Sequence, residues 1–215
     1  ILSLWKLKFD NAIKSTKNTN VKFKQFCFHV KQEESPIWFF GMNPSLLDST
    51  NEYISRTTPP DKHLFEKLEE EQKYMHTEIQ YFQRATDFFE EEVKIPELRK
   101  PIFHDLYPVR HTNQKEFVKF LEDNDDFCNS FDTATKNLID GIMPDIIVIA
   151  NAKASKLMQK IFFGRNEYNG ETKLTYELDG KKTDMIFSSM LSGQRALDTY
   201  SVSYTHLTLP TTPYV

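Results

Sequence analysis

Four apolar positions in a row, Ile37-Trp38-Phe39-Phe40, follow Pro36 and stop at Gly41. Such a run predicts a short strand buried on both faces, as in a parallel sheet. Three further runs predict strands: Pro101-Ile-Phe-His-Asp-Leu-Tyr107 closed by Pro108, Pro144-Asp-Ile-Ile-Val-Ile-Ala150, and Thr183-Asp-Met-Ile-Phe-Ser188. Between them the period lengthens to that of a helix. Leu64, Leu68, Met75, Ile79, Phe82 and Phe89 recur at helical spacing over 61–93. A helix over 115–121 has Thr112 or Asn113 as its cap, and another over 127–142 carries Phe131, Leu138 and Ile142. Asn151 opens a helix over 152–162, and Ser192-Gly193 starts a last one through Ala196 and Leu197. The first 13 residues, with Leu4, Leu7 and Phe9 apolar, read as a helix. Residues 21–30 fit a strand by near-alternation and a helix by Phe23, Phe26 and Val30.

Strands separated by helical stretches predict an α/β three-layer sandwich. Its sheet is short, about four-stranded and parallel, with helices on both faces. A polar stretch over 166–182 predicts a hairpin around Asp179-Gly180. No repeat or linker divides the chain, so residues 1–201 read as one domain with an N-terminal helical extension over about 1–33. Residues 202–212 resemble the in-frame translation of a transposase-type sequencing adapter. The tail from 202 to 215 is therefore expected to be non-native and is set aside from fold reasoning.

Composition narrows the class only a little. The chain has 215 residues, 39% hydrophobic and 27% charged, enough for one sizeable core. With 27 Lys+Arg against 31 Asp+Glu the net charge is −4, so any nucleic-acid contact must be local. Cys27 and Cys128 lie far apart and fit no metal spacing; reduced thiols and a cytoplasmic location are expected. No apolar run approaches the ~18 residues of a membrane span, and no stretch reads as a signal peptide. The runs Glu69-Glu70-Glu71 and Glu90-Glu91-Glu92 read as a solvated face. No oligomer signature is visible, so a monomer is expected.

The chemistry concentrates where the first strand ends. Gly41 permits a sharp exit, Asn43-Pro44 is a turn pair, and the carboxyl ends of parallel strands are where α/β sheets bind ligands. Gly41-Met42-Asn43-Pro44-Ser45 resembles the Gly-Met-Asn-Pro-Gly motif of the uracil-DNA glycosylase superfamily. The segment Pro144-Asp-Ile-Ile-Val-Ile-Ala-Asn-Ala-Lys-Ala154 resembles that family's strand and Ala-rich helix. Ile102-Phe-His-Asp-Leu-Tyr-Pro-Val-Arg110 lies where the family has a base-reading strand end and a basic loop. The order fits over residues 36–201, and the closing stretch 188–198 looks like an uncharacterised bacterial branch.

The resemblance implies a monofunctional DNA glycosylase that needs no metal or cofactor and acts on a flipped base. Asn43 would position the attacking water through its amide oxygen. Gly41, Met42, Asp105 and His104 would contact the base. Ser45, Arg110, Ser192, Gly193 and Arg195 would meet DNA phosphate. Two positions depart from the family pattern. The family's His-Pro-Ser is replaced by Met190-Leu191-Ser192-Gly193, leaving its His role to His104 or His111 or to no residue. Asp105 stands at the position of the base-reading Asn. An ionised carboxylate only accepts hydrogen bonds, so Asp105 would suit an amino-bearing base, or stay protonated if buried. Plainer readings stand beside these: Asn43-Pro44 as turn chemistry, Asp105 as a cap, His104 as a core residue, Arg110 and Arg195 as ion-pair partners. Two other functions fit the same features, a non-catalytic nucleic-acid or nucleotide binding module and a nucleoside-type hydrolase.

Overall fold

The computed structural model describes residues 2–16, 26, 35–43, 66, 68, 69, 102–111, 113–165 and 171–188. Among them, in chain order, lie α1 (Leu2–Ser15), β1 (Ile37–Gly41), β2 (Ile102–Asp105), α2 (Gln114–Glu122), α3 (Asp125–Ile142), β3 (Ile146–Ala150), α4 (Ala152–Phe163), β4 (Lys173–Leu178) and β5 (Lys181–Ser188). The class is α/β, as expected. The strand order is β2-β1-β3-β5-β4, with the first four parallel and β4 antiparallel on β5.

The continuous apolar runs became the parallel strands because both faces of the sheet are buried. Trp38, Phe40, Ile102, Ile147, Ile149, Met185 and Phe187 share one face by register, and all belong to one hydrophobic cluster. The buried residues of α1, α2, α3 and α4 join that same cluster, so the described helices lie on this face. The other face carries Ile37, Phe39, Phe103, Ile146, Val148 and Ile186, all buried too, as a sheet covered on both sides requires. Phe117, Phe120, Phe127 and Phe131 form a run of ring contacts under the first face. Each such burial contributes roughly 1.5–3 kcal/mol, and truncating Phe131 to Ala would cost about 3–5 kcal/mol.

Four expectations are corrected. The sheet has five strands, because Asp179-Gly180 closes a hairpin that adds an antiparallel strand. Both turn residues have positive φ (50° and 79°), the backbone a two-residue hairpin needs. The fourth core strand is the second arm of that hairpin and starts at Lys181. In α1 the buried stripe is Trp5, Phe9 and Ala12, one every three or four residues, while Leu4 and Leu7 are more than half exposed. In α3, Ile142 is exposed at the last turn; the buried face runs through Phe127, Phe131, Ala134, Thr135 and Ile139.

The helix starts follow local side-chain chemistry. Asn113 caps α2 by accepting from the amides of Lys115 and Glu116, and Asn151 caps α4 by accepting from Lys153 and Ala154. Of the ambiguous segment 21–30, Phe26 alone is described; it forms an antiparallel bridge with Val109. Of the helix expected over 61–93, Glu66, Leu68 and Glu69 are described and helical, with Leu68 buried. The expected last helix lies outside the described residues.

Candidate functional site

The parallel strands bring their carboxyl ends to one edge of the sheet. The chain steps from β1 sideways to β2, then back across β1 to β3. The crossovers therefore diverge at β1, which makes its carboxyl end a topological switch point. Gly41, Met42 and Asn43 stand there.

The exits of β1 and β2 are laced together by main-chain bonds. Leu106 N donates to Gly41 O at 3.2 Å, and Tyr107 N donates to Met42 O at 3.1 Å. Beyond them the Asn43 side chain takes over. Its Nδ2 donates to Val109 O at 3.2 Å and to His111 O at 2.8 Å. Two carbonyl acceptors identify which end of the amide is nitrogen. They also fix its plane. The Asn43 amide is thus preorganised, held by its own donor end.

Asp105 lies over Gly41. The two residues are paired in register, so their side-chain positions fall on the same face of the sheet. A Cβ built on Gly41 would overlap Asp105 Oδ1. A side chain here would require the Asp105 carboxylate to turn aside. Asp105 is half-buried on the face that also carries Phe39 and Phe103. Asn43 and Asp105 therefore flank one strand end, the first as a fixed amide and the second as a carboxylate.

His104 stands apart from this pair. Successive strand residues point to opposite faces, and His104 belongs with Phe40 and Trp38. Its ring centroid is 4.8 Å from that of Trp38 and 5.4 Å from that of Phe40, and the residue is 5% exposed. It lies on the sheet face opposite Asp105. Arg110 is 1% exposed, so its side chain lies inside. The side chain of Met42 is buried in the core cluster with Gln114 Nε2 donating to its sulfur at 3.9 Å, so only its main chain faces the strand exit. Ser45, Ser192, Gly193 and Arg195 lie outside the described residues.

Sequence reasoning missed the partners of Asn43. His111 is buried at the entrance to α2. Its Nδ1 lies 3.1 Å from Asn113 N and 3.0 Å from Asn113 O, its ring stacks on Phe117, and its Nε2 is 3.4 Å from Glu116 Oε2. Tyr107, fully buried, sends its hydroxyl to Asp132 Oδ1 on α3 at 3.0 Å. Burial raises the Tyr107 hydroxyl, the Cys128 thiol and the Asp132 carboxyl above their ordinary ranges. Pro108 marks an exit loop after β2 in the sequence, but nothing there shows that the loop's carbonyls meet Asn43.

No protein-family model matches this chain, and no curated protein matches it in sequence. The site's chemistry therefore rests on its own residues. Among the described residues no group of three His, Cys, Asp or Glu side chains is placed to hold a metal ion. Among them, too, no helix is long and apolar enough to cross a membrane.

Proposed function

We propose that the chain is a DNA N-glycosylase of the uracil-DNA glycosylase type, acting on a base flipped out of the stack. The observation that carries this reading is the Asn43 amide, clamped by two carbonyls at the carboxyl end of the strand where the crossovers diverge. Hydrolysis adds a water oxygen to the sugar C1′ as the bond to the base nitrogen breaks. The base leaves with the bonding pair, and the water proton ends on base or solvent. An amide is no general base; Asn43 Oδ1 would orient the water against the sugar. Asp105, beside Gly41, would face the base and favour one that carries an amino group.

The test is base release from oligonucleotides carrying uracil, hypoxanthine, xanthine or mismatched bases, by the parent and by Asn43→Ala. The expected result is release by the parent and a loss of about 100-fold or more in kcat for a folded Asn43→Ala. Equal release by both would sink the role given to Asn43.

Two observations favour a second reading, a non-catalytic nucleic-acid or nucleotide binding module. Arg110 is withdrawn from the surface, and the net charge is −4. That reading expects salt-dependent binding without release of any base.

A further inference from the structure

Three hydrogen bonds, joined through the covalent chain of residues 107 and 109, link the Asn43 site to α3. Asn43 Nδ2 donates to Val109 O at 3.2 Å, Val109 N donates to Tyr107 O at 2.9 Å, and the Tyr107 hydroxyl donates to Asp132 Oδ1 at 3.0 Å. Tyr107 touches the site a second time, since its own N–H donates to Met42 O at 3.1 Å, one residue before Asn43. Between Tyr107 and Val109, Pro108 fixes its φ and offers no donor, so little freedom is left in the link. The ring of Tyr107 is seated by Phe117 and Phe127, with centroids 5.9 and 6.2 Å away.

Aromatic packing alone would hold a phenylalanine at this position. The hydroxyl adds a directed tie to one point on α3, at the cost of drawing a carboxylate partly out of water. A buried ion or dipole of this kind is weak evidence for stability and better evidence for a fixed conformation. The conformation fixed here is that of residues 107–111, whose carbonyls at 109 and 111 clamp the Asn43 amide.

We infer that Tyr107 and Asp132 are positioning residues for the candidate site, setting the plane of the Asn43 amide through the 107–111 main chain. Neither residue touches substrate. Their part in turnover rests on the glycosylase reading; their part in orienting Asn43 does not.

The test uses full-length ¹⁵N-labelled protein and the paired Nδ2 proton signals of Asn43, assigned by their loss in Asn43→Ala. Tyr107→Phe keeps the ring and removes one oxygen. Its expected effect is a displaced or broadened Asn43 pair, with hydrogen exchange at Nδ2 at least about tenfold faster, while Asn signals far from the site stay in place. Asp132→Ala should reproduce this, and Asp132→Asn, which keeps an oxygen acceptor, should restore the parental pair. An Asn43 pair unchanged in position and exchange in both Tyr107→Phe and Asp132→Ala would overturn the proposal. So would equal disturbance by Asp132→Asn and Asp132→Ala. If Tyr107→Phe does not fold, the two Asp132 variants decide the matter alone. Where the parent releases a base, Tyr107→Phe should lower kcat about tenfold and leave KM within twofold; an unchanged kcat overturns the part of Tyr107 and Asp132 in turnover. A parent that releases no base overturns the glycosylase reading, and the Asn43 signals still decide the positioning role.

Discussion

The carboxylate of Asp105 occupies the space into which any side chain at position 41 would project. Gly41 and Asp105 are thus a fitted pair across β1 and β2. Gly41→Ala should turn the Asp105 carboxylate aside and destabilise the fold by about 1 kcal/mol, the low end of overpacking because only the end of one side chain has to move. In an Asp105→Ala background the same substitution should cost much less, because the overlap is gone. Urea denaturation of the four proteins in the cycle measures the coupling. Additive costs would show that the pair is not fitted as described.

Asn151 holds the first turn of α4 through two bonds, from Lys153 N at 2.9 Å and Ala154 N at 3.1 Å. Asn151→Ala should cost about 1 kcal/mol and at most about 2, with Asn151→Asp close to the parent. A loss above that range would mean the side chain does more than cap. Chemical denaturation with an unchanged m-value is the check.

Cys128 donates to Leu121 O at 3.3 Å and sits beside Asp132. Burial first, and then the Asp132 charge, push its thiol up to about 11 from an ordinary 9.0. At pH 8 that leaves about a hundredfold less thiolate, the reactive form. In a Cys27→Ser background, a disulfide reagent should label the folded protein about a hundredfold more slowly than the urea-unfolded chain. Equal rates would contradict the buried, acid-flanked thiol.

Asp132 offers a test by pH. Burial raises its carboxyl above the ordinary 3.8, against the opposing Tyr107 bond and Lys160 charge. A carboxyl raised in the folded state binds its proton more tightly there than in the unfolded chain. Its contribution to stability is therefore complete below 3.8 and is lost as pH climbs through the raised value. Relative to Asp132→Asn, the parent should gain stability between pH 7 and pH 4. Denaturation midpoints at the two pH values measure it; a constant gap would show that Asp132 titrates normally.

Much of the scaffold was legible because its causes are local or repetitive. The runs at 37–40 and 146–149 are apolar on both faces, and only a strand covered on both sides wants that. Asn113 and Asn151 announce helix starts because a short amide side chain competes for amides two and three residues on. Asp179-Gly180 announces its hairpin for a similar reason. Where tertiary packing chooses among local options, the sequence was silent. In α1 both Leu4-Leu7 and Trp5-Phe9 are apolar, and contact with Phe131 selects the second pair. Of the site, the placement of Asn43 after a central strand could be read. Its partners could not, because Val109 and His111 act through carbonyls that every residue type possesses. The burial of Arg110 was equally hidden, since a guanidinium normally marks a surface.

The sheet order also fixes when the site can exist. Trp38 pairs with Ile102 on one side and Ile147 on the other, whereas Lys181 meets Leu178 across a two-residue turn. The hairpin can close within microseconds, but β1 must wait for chain-spanning encounters whose loop-closure entropy makes them slow. On the ribosome, the strand that leads to Asn43 lacks its second neighbour until synthesis has passed Ala150 and that stretch has left the exit tunnel. Asn43 is made early and becomes a site late.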